Sequence, residues 1–219
     1  MILEGKKIAF LGDSITEGVG VSCRDHIFLN LLAAEYGFTA RNYGISGSRI
    51  ANQLNPGNPN DRMERCFVKR IADMDPDADA VVVFGGTNDF GHGDAPLGDP
   101  TDRTMDTYYG ACHLLCSGLV EKYPTAQIVI MTPLHRTNEM NPRGDGHKSY
   151  DYGVLSTYVD ILKTVAAEYS LPVLDLFSTS GMYPLIEAQR IAYMPDGLHP
   201  CDLGHRRIAD RLAAFLKAL

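Results

Sequence analysis

The sequence predicts an α/β fold, a three-layer α/β/α sandwich around a five-stranded parallel sheet. Three observations carry this. Short strand-like apolar runs alternate with helix-period segments along the whole chain, which is the pattern of βαβ units. The runs at residues 8–11, 80–84 and 127–131 are almost continuously apolar, as strands covered on both faces are; half-exposed strands would alternate. The segments between them space apolar residues by three and four, so each buries one helical face.

The elements follow in order. IAFL at 8–11 is the first strand. Residues 26–36 form a helix whose inner face is Ile27, Phe28, Leu31 and Leu32. TARNY at 39–43 is the second strand and the least apolar. Residues 62–74 read as a more polar helix. AVVVF at 80–84 is the third strand. The helix at 104–122 buries Tyr108, Cys112, Leu115 and Leu119. QIVIM at 127–131 is the fourth strand. The helix at 150–169 presents Val154, Tyr158, Ile161, Leu162 and Val165. PVLDLF at 172–177 is the fifth strand. A final helix at 204–219 carries Ile208, Leu212, Phe215, Leu216 and Leu219. No repeat or linker interrupts this series, so residues 1–219 read as one domain. Two long polar connections, 89–103 and 132–149, are of a length that often marks functional loops.

Composition narrows the function. The net charge is -7 and no Lys/Arg run is present, which argues against nucleic acid or an anionic membrane as partner. No apolar stretch is long enough to span a bilayer. The polar start MILEGKK runs straight into a strand, with no leader-like apolar region, so a cytoplasmic location is the expectation. The five cysteines form no C-x-x-C pair and suggest neither a disulfide framework nor a zinc site. Cys112 and Cys116 read as small buried helical hydrophobes. No histidine spacing predicts a metal; His26, His113, His147 and His205 read as surface or loop residues.

In an open α/β sheet, ligands bind beyond the carboxyl ends of the strands, and four segments there carry chemistry. Gly12-Asp13-Ser14 follows the first strand. Taken alone it is ordinary turn chemistry. It lacks the glycine pattern and lysine of a phosphate cradle, and Thr16 breaks the G-x-S-x-G elbow. Gly47, after the second strand, either offers a bare backbone N–H or merely turns the chain. Asn88, after the third, is a side-chain donor or an Asx-turn residue. Asp196, three residues before His199, either orients an imidazole across a tight turn or caps the last helix. Pro200 favours extended dihedrals at His199 and keeps its ring outside that helix. Together the four supply what acyl transfer needs: a nucleophile, a base, an orienting acid and oxyanion donors. In the strand order 2-1-3-4-5 the first three ends would be neighbours.

These segments identify the chain as similar to the SGNH hydrolases, the GDSL esterase/lipase family. GDSIT at 12–16, NYGISG at 42–47, GGTND at 85–89 and DGLHP at 196–200 match its four blocks in order, with no departure at a catalytic position. The resemblance implies a flavodoxin-like SGNH hydrolase fold, Ser14 as nucleophile, and His199 and Asp196 as the rest of the triad. It implies an oxyanion hole from Ser14, Gly47 and Asn88, with no metal or organic cofactor. Asp13 is expected to bond the turn that presents Ser14, and Thr16 to start the following helix. Cys201, though close to His199, leaves the four-block arrangement unexplained and is set aside as a nucleophile. His92, His135 and Arg136, near strand ends, are expected to touch substrate. The polar loops favour a short acyl group, acetyl above all, on a polar alcohol such as a sugar. A lysophospholipid or thioester substrate is the alternative within the family, and a non-catalytic ligand-binding module the alternative outside it. A homo-oligomer is compatible with this type of fold.

Overall fold

The computed structural model describes residues 1–57, 61–146 and 148–219; His147 lies outside the described residues. Its sheet contains β1 (Lys7–Gly12), β2 (Thr39–Gly44), β3 (Ala80–Phe84), β4 (Gln127–Met131) and β5 (Val173–Leu174). All four pairings are parallel and the order is β2-β1-β3-β4-β5. Alternation of side chains along each strand divides the core into two. Ala9, Leu11, Val81, Val83, Ile128 and Ile130 pack against α5 (Tyr108–Lys122) and α6 (Leu155–Glu168). Ile8, Phe10, Val82, Phe84, Val129 and Met131 meet α2 (Phe28–Tyr36) and α9 (Asp202–Ala218) on the other face. The near-continuous apolar runs follow from this double cover. β2, at the sheet edge, has no fully buried residue, which is why it alone reads as polar.

The register positions the site. Gly12 is level with Gly44 on β2 and with Phe84 on β3. The segments that follow β1, β2 and β3 therefore leave the sheet side by side.

Several elements differ from the expectation. The fifth strand stops at Leu174 because the Asp175 side chain accepts from the Ser178 N–H at 3.1 Å and caps α7 (Leu176–Thr179). The polar helix at 62–74 breaks into a 3-10 turn, α3 (Phe67–Arg70) and a second 3-10 turn. The segments at 26–36, 104–122 and 150–169 begin their helices at Phe28, Tyr108 and Leu155. α8 (Glu187–Tyr193) was not foreseen; it buries no residue and so carries no apolar stripe. His113 and His205 are not surface residues: both are fully buried. Distant partners make this tolerable. His113 Nε2 bonds the Pro100 carbonyl at 3.0 Å, and His205 Nδ1 accepts the Phe28 N–H at 3.2 Å. Cys112 and Cys116 are buried in α5, and all five cysteines are free thiols.

Candidate active site

Ser14 opens α1 (Ser14–Glu17) directly beyond β1. Asp13 caps that short helix by accepting the Ile15 N–H at 3.0 Å. The serine is held at the sheet edge with only 6% of its surface exposed. Its Oγ lies 3.0 Å from His199 Nε2. His199 Nδ1 lies 2.7 Å from Asp196 Oδ2. The other Asp196 oxygen accepts the N–H groups of Leu198 (2.8 Å) and His199 (2.7 Å), so one carboxylate folds the turn and grips the ring. A continuous Ser–His–Asp chain results, across 185 positions of sequence.

The ends of β2 and β3 close around it. The Ile45 N–H bonds the Gly12 carbonyl at 3.1 Å. Gly47 has a φ of 75°, a left-handed conformation that favours glycine. Asn88 stands in α4 (Thr87–Gly91) and donates one amide N–H to the Ser48 carbonyl at 3.0 Å. His92 Nε2 lies 3.2 Å from the Gly47 carbonyl. Asp89 accepts the N–H groups of Ile50 and Ala51, both at 2.9 Å, and so joins the third segment to the second.

The profile of the GDSL-like lipase/acylhydrolase family matches residues 10–207. The chain belongs to this family. Three solved structures place it among known folds. It is similar to a protein from Lactobacillus plantarum at 33% identity and a TM-score of 0.84, over 99% of this chain and 98% of that one. A member of the lipolytic protein G-D-S-L family from Veillonella parvula matches at 20% identity and 0.63, over 97% and 99%. The acetyl xylan esterase AlAXEase matches at 18% and 0.57, over 96% and 99%. No curated protein matches the chain. The five-stranded parallel sheet with helices on both faces is the GDSL-family hydrolase fold.

Around the three central residues, this GDSL-family site is built on buried charge. Burial raises the Asp13 carboxyl to about 7, with its Ile15 hydrogen bond and the Arg70 charge opposing and the Asp89 charge adding. Burial also raises Asp89, against the pull of the Ala51 and Ile50 N–H groups. Asp196 goes the other way. Its partial burial is outweighed by the N–H groups of His199 and Leu198 and by the imidazole, which bring it below the usual carboxylate range. Burial, with the Arg49 charge, lowers His92.

Two braces hold the site, one on Arg70, which the sequence does not single out, and one on Arg136, which was expected to touch substrate. Arg70 is buried on α3, where it reads as one more charge of a polar helix. Its guanidinium donates to the Gly12 carbonyl at 3.2 Å, to Ser48 Oγ at 2.8 Å and to the Tyr43 carbonyl, tying together the ends of β1 and β2. The second brace is the pair Arg136 and Thr137. Arg136 is 4% exposed. It donates to the Thr87 carbonyl at 3.2 Å, pairs with Asp145 and lies over the Phe90 ring, supporting α4 from behind. The Thr137 N–H bonds the Gly197 carbonyl at 3.0 Å. Two consecutive residues thus join the Asn88 helix to the Asp196–His199 turn. His135 lies further out, with Nδ1 2.8 Å from Glu139 Oε2. Cys201 donates its thiol to the Ala192 carbonyl at 3.2 Å. Among the described residues no group of His, Cys, Asp and Glu could hold a metal, and no helix is long and apolar enough to cross a membrane.

Proposed function

We propose that this protein is a serine ester hydrolase that removes short acyl groups, acetyl above all, from a polar alcohol such as a sugar. The observation that carries the reading is the Ser14–His199–Asp196 chain, at 3.0 and 2.7 Å. Such contacts let a serine lose its proton as it attacks. Ser14 Oγ adds to the ester carbonyl while His199 Nε2 takes the hydroxyl proton. Asp196, on Nδ1, fixes the tautomer that leaves Nε2 free and stabilises the imidazolium that forms. The oxyanion is received by the backbone N–H groups of Ser14 and Gly47 and by the second amide N–H of Asn88. The tetrahedral adduct collapses as His199 returns its proton to the departing alcohol. Water, activated by the same imidazole, then frees the carboxylic acid from Ser14. In this scheme His92 and Arg136 act by holding Gly47 and α4 in place.

The acyl preference rests on the two long loops, 89–103 and 132–149, which follow β3 and β4 and whose side chains are mostly polar. The fold shared with AlAXEase is compatible with an acetylated carbohydrate. A fluorophosphonate probe tests the mechanism. It is expected to label the wild type at Ser14 and to leave Ser14→Ala unlabelled. That variant should lose a factor on the order of a million in kcat on nitrophenyl acetate while keeping its thermal transition. Labelling at another residue, or retained turnover in the folded variant, removes Ser14 from the chemistry.

A further inference from the structure

A cavity of about 230 Å³ opens between the loop after β4, α7 and the segment leading to α8. Its lining mixes aromatic rings with polar groups: Phe177 and Tyr183 stand beside Ser178, Ser180 and Gln189. The His135 ring lies against Phe177, with centroids 3.9 Å apart and planes tilted by 33°. Tyr183 meets the same imidazole edge-on at 4.9 Å. Its rim is polar and uncommitted. Glu139 engages only Nδ1 of His135, and Gln189 uses its carbonyl oxygen to accept the Tyr183 N–H at 3.0 Å. Nε2 of His135, the Gln189 amide nitrogen and the Tyr183 hydroxyl have no partner among the described residues.

Flat faces with unsatisfied donors and acceptors at the edge fit an amphipathic ring that offers C–H faces and hydroxyl edges. A hydrocarbon chain would leave those three polar groups desolvated and unbonded. The position is equally informative. Ser14 follows β1 and His135 follows β4, two strand spacings away, or about 10 Å along the sheet edge. That is a span a di- or trisaccharide covers. The Thr137–Gly197 hydrogen bond, two residues beyond His135, fixes this loop relative to the His199 turn.

We propose that this cavity is a distal subsite for a neutral sugar residue, so that the substrate is an acetylated oligosaccharide lying across the carboxyl edge of the sheet. The proposal rests on the sugar deacetylase reading and adds to it which part of the substrate is recognised, and where. The test compares acetylated xylose with acetylated xylotriose. The wild type is expected to favour the trisaccharide by about tenfold in kcat/KM, the scale of one good pocket contact. Tyr183→Ala should collapse that ratio towards one, with Tyr183→Phe intermediate. Equal kcat/KM for the two substrates, or a ratio unchanged in Tyr183→Ala, overturns the subsite while the deacetylase reading stands. If the wild type deacetylates neither sugar, the deacetylase reading falls, and the subsite is judged by calorimetric binding of unmodified xylotriose to Ser14→Ala. Binding that Tyr183→Ala abolishes supports it. Absent binding, or binding that Tyr183→Ala leaves intact, overturns it.

Discussion

The Asn88 amide carries two N–H bonds, and only one is committed, to the Ser48 carbonyl. In the proposed mechanism that bond aims the other at the oxyanion. Asn88→Ala should therefore lower kcat by roughly a hundred- to a thousandfold, as loss of one oxyanion donor does, with KM changed less. A rise in KM at constant kcat would make Asn88 a substrate-positioning residue instead. Asp13 poses the opposite problem, a carboxyl whose burial lifts it to about 7. An unfolded aspartate titrates near about 4. The folded state therefore keeps a proton that the unfolded state has lost. Its contribution to stability is full below about pH 4 and fades as pH rises to about 7. Asp13→Asn preserves the acceptor for the Ile15 N–H and removes the ionisation. It should raise the melting temperature over wild type at pH 8 and give no gain at pH 4; equal shifts at both pH values would refute the buried-proton account. Ser14 and Asp13 were legible because they sit in a short motif at the end of β1, and His199 because it follows Asp196 by three residues in a tight turn, which lies between α8 and α9. Arg70 was not, and Arg136 was expected to touch substrate rather than to brace α4. An arginine's partners are set only when the folded chain brings backbone carbonyls of other elements to its guanidinium.

Among the elements, the Asp196–Pro200 turn has a tightly fixed geometry. Gly197 has a φ of 82°, and a Cβ there would lie 2.5 Å from Thr137 Cγ2. Both the conformation and the contact exclude a side chain. Gly197→Ala should cost on the order of 1–3 kcal/mol of stability. It should also lower kcat more than tenfold, because the loop that would have to move holds the turn carrying His199. A variant with wild-type kcat and melting temperature would show that the turn tolerates displacement. The strands β1, β3 and β4 were legible to within about a residue because cover on both faces demands unbroken apolar sequence. The fifth strand and the helix at 62–74 were not. In one, a capping aspartate diverts the chain into α7. In the other, Cys66, Phe67, Ile71 and Met74 do line a buried face, but the backbone breaks into two 3-10 turns around α3, which the helical spacing does not foretell. His113 and His205 were misjudged for a related reason: the partner each imidazole finds lies many residues away.

On the scale of the whole molecule, three of the four chemical segments were legible as a set because parallel order places strand ends along one edge; the fourth is the turn between α8 and α9. What the long loops do along that edge was less legible. Several of their polar side chains are spent on tying the loops to each other and to neighbouring elements. Asp94 accepts the N–H groups of Leu54 and Asn55, Arg136 pairs with Asp145, and Lys148 donates to the Asp89 carbonyl and to Tyr158. Their polarity therefore marks rigid walls more than a ready-made hydroxyl-binding surface. The argument against a long acyl chain is that nothing on these walls would bury it. Each methylene taken from water is worth about 0.8 kcal/mol, and a channel for it needs apolar side chains. Around the catalytic turn in sequence, the large exposed apolar residues are Leu185, Ile186, Ile191 and Leu203, exposed by 43, 56, 65 and 52%. The first three lie on the segment that leads to Asp196. A series of nitrophenyl esters from acetate to palmitate separates the two readings. kcat/KM is expected to be highest at acetate or propionate and to fall beyond butyrate, since added methylenes would stay in water or meet rigid polar walls. A steady climb through octanoate would instead place the acyl chain along the Leu185–Ile191 strip. In that case Ile186→Ser should flatten the climb, and the lipid-type substrate replaces the sugar.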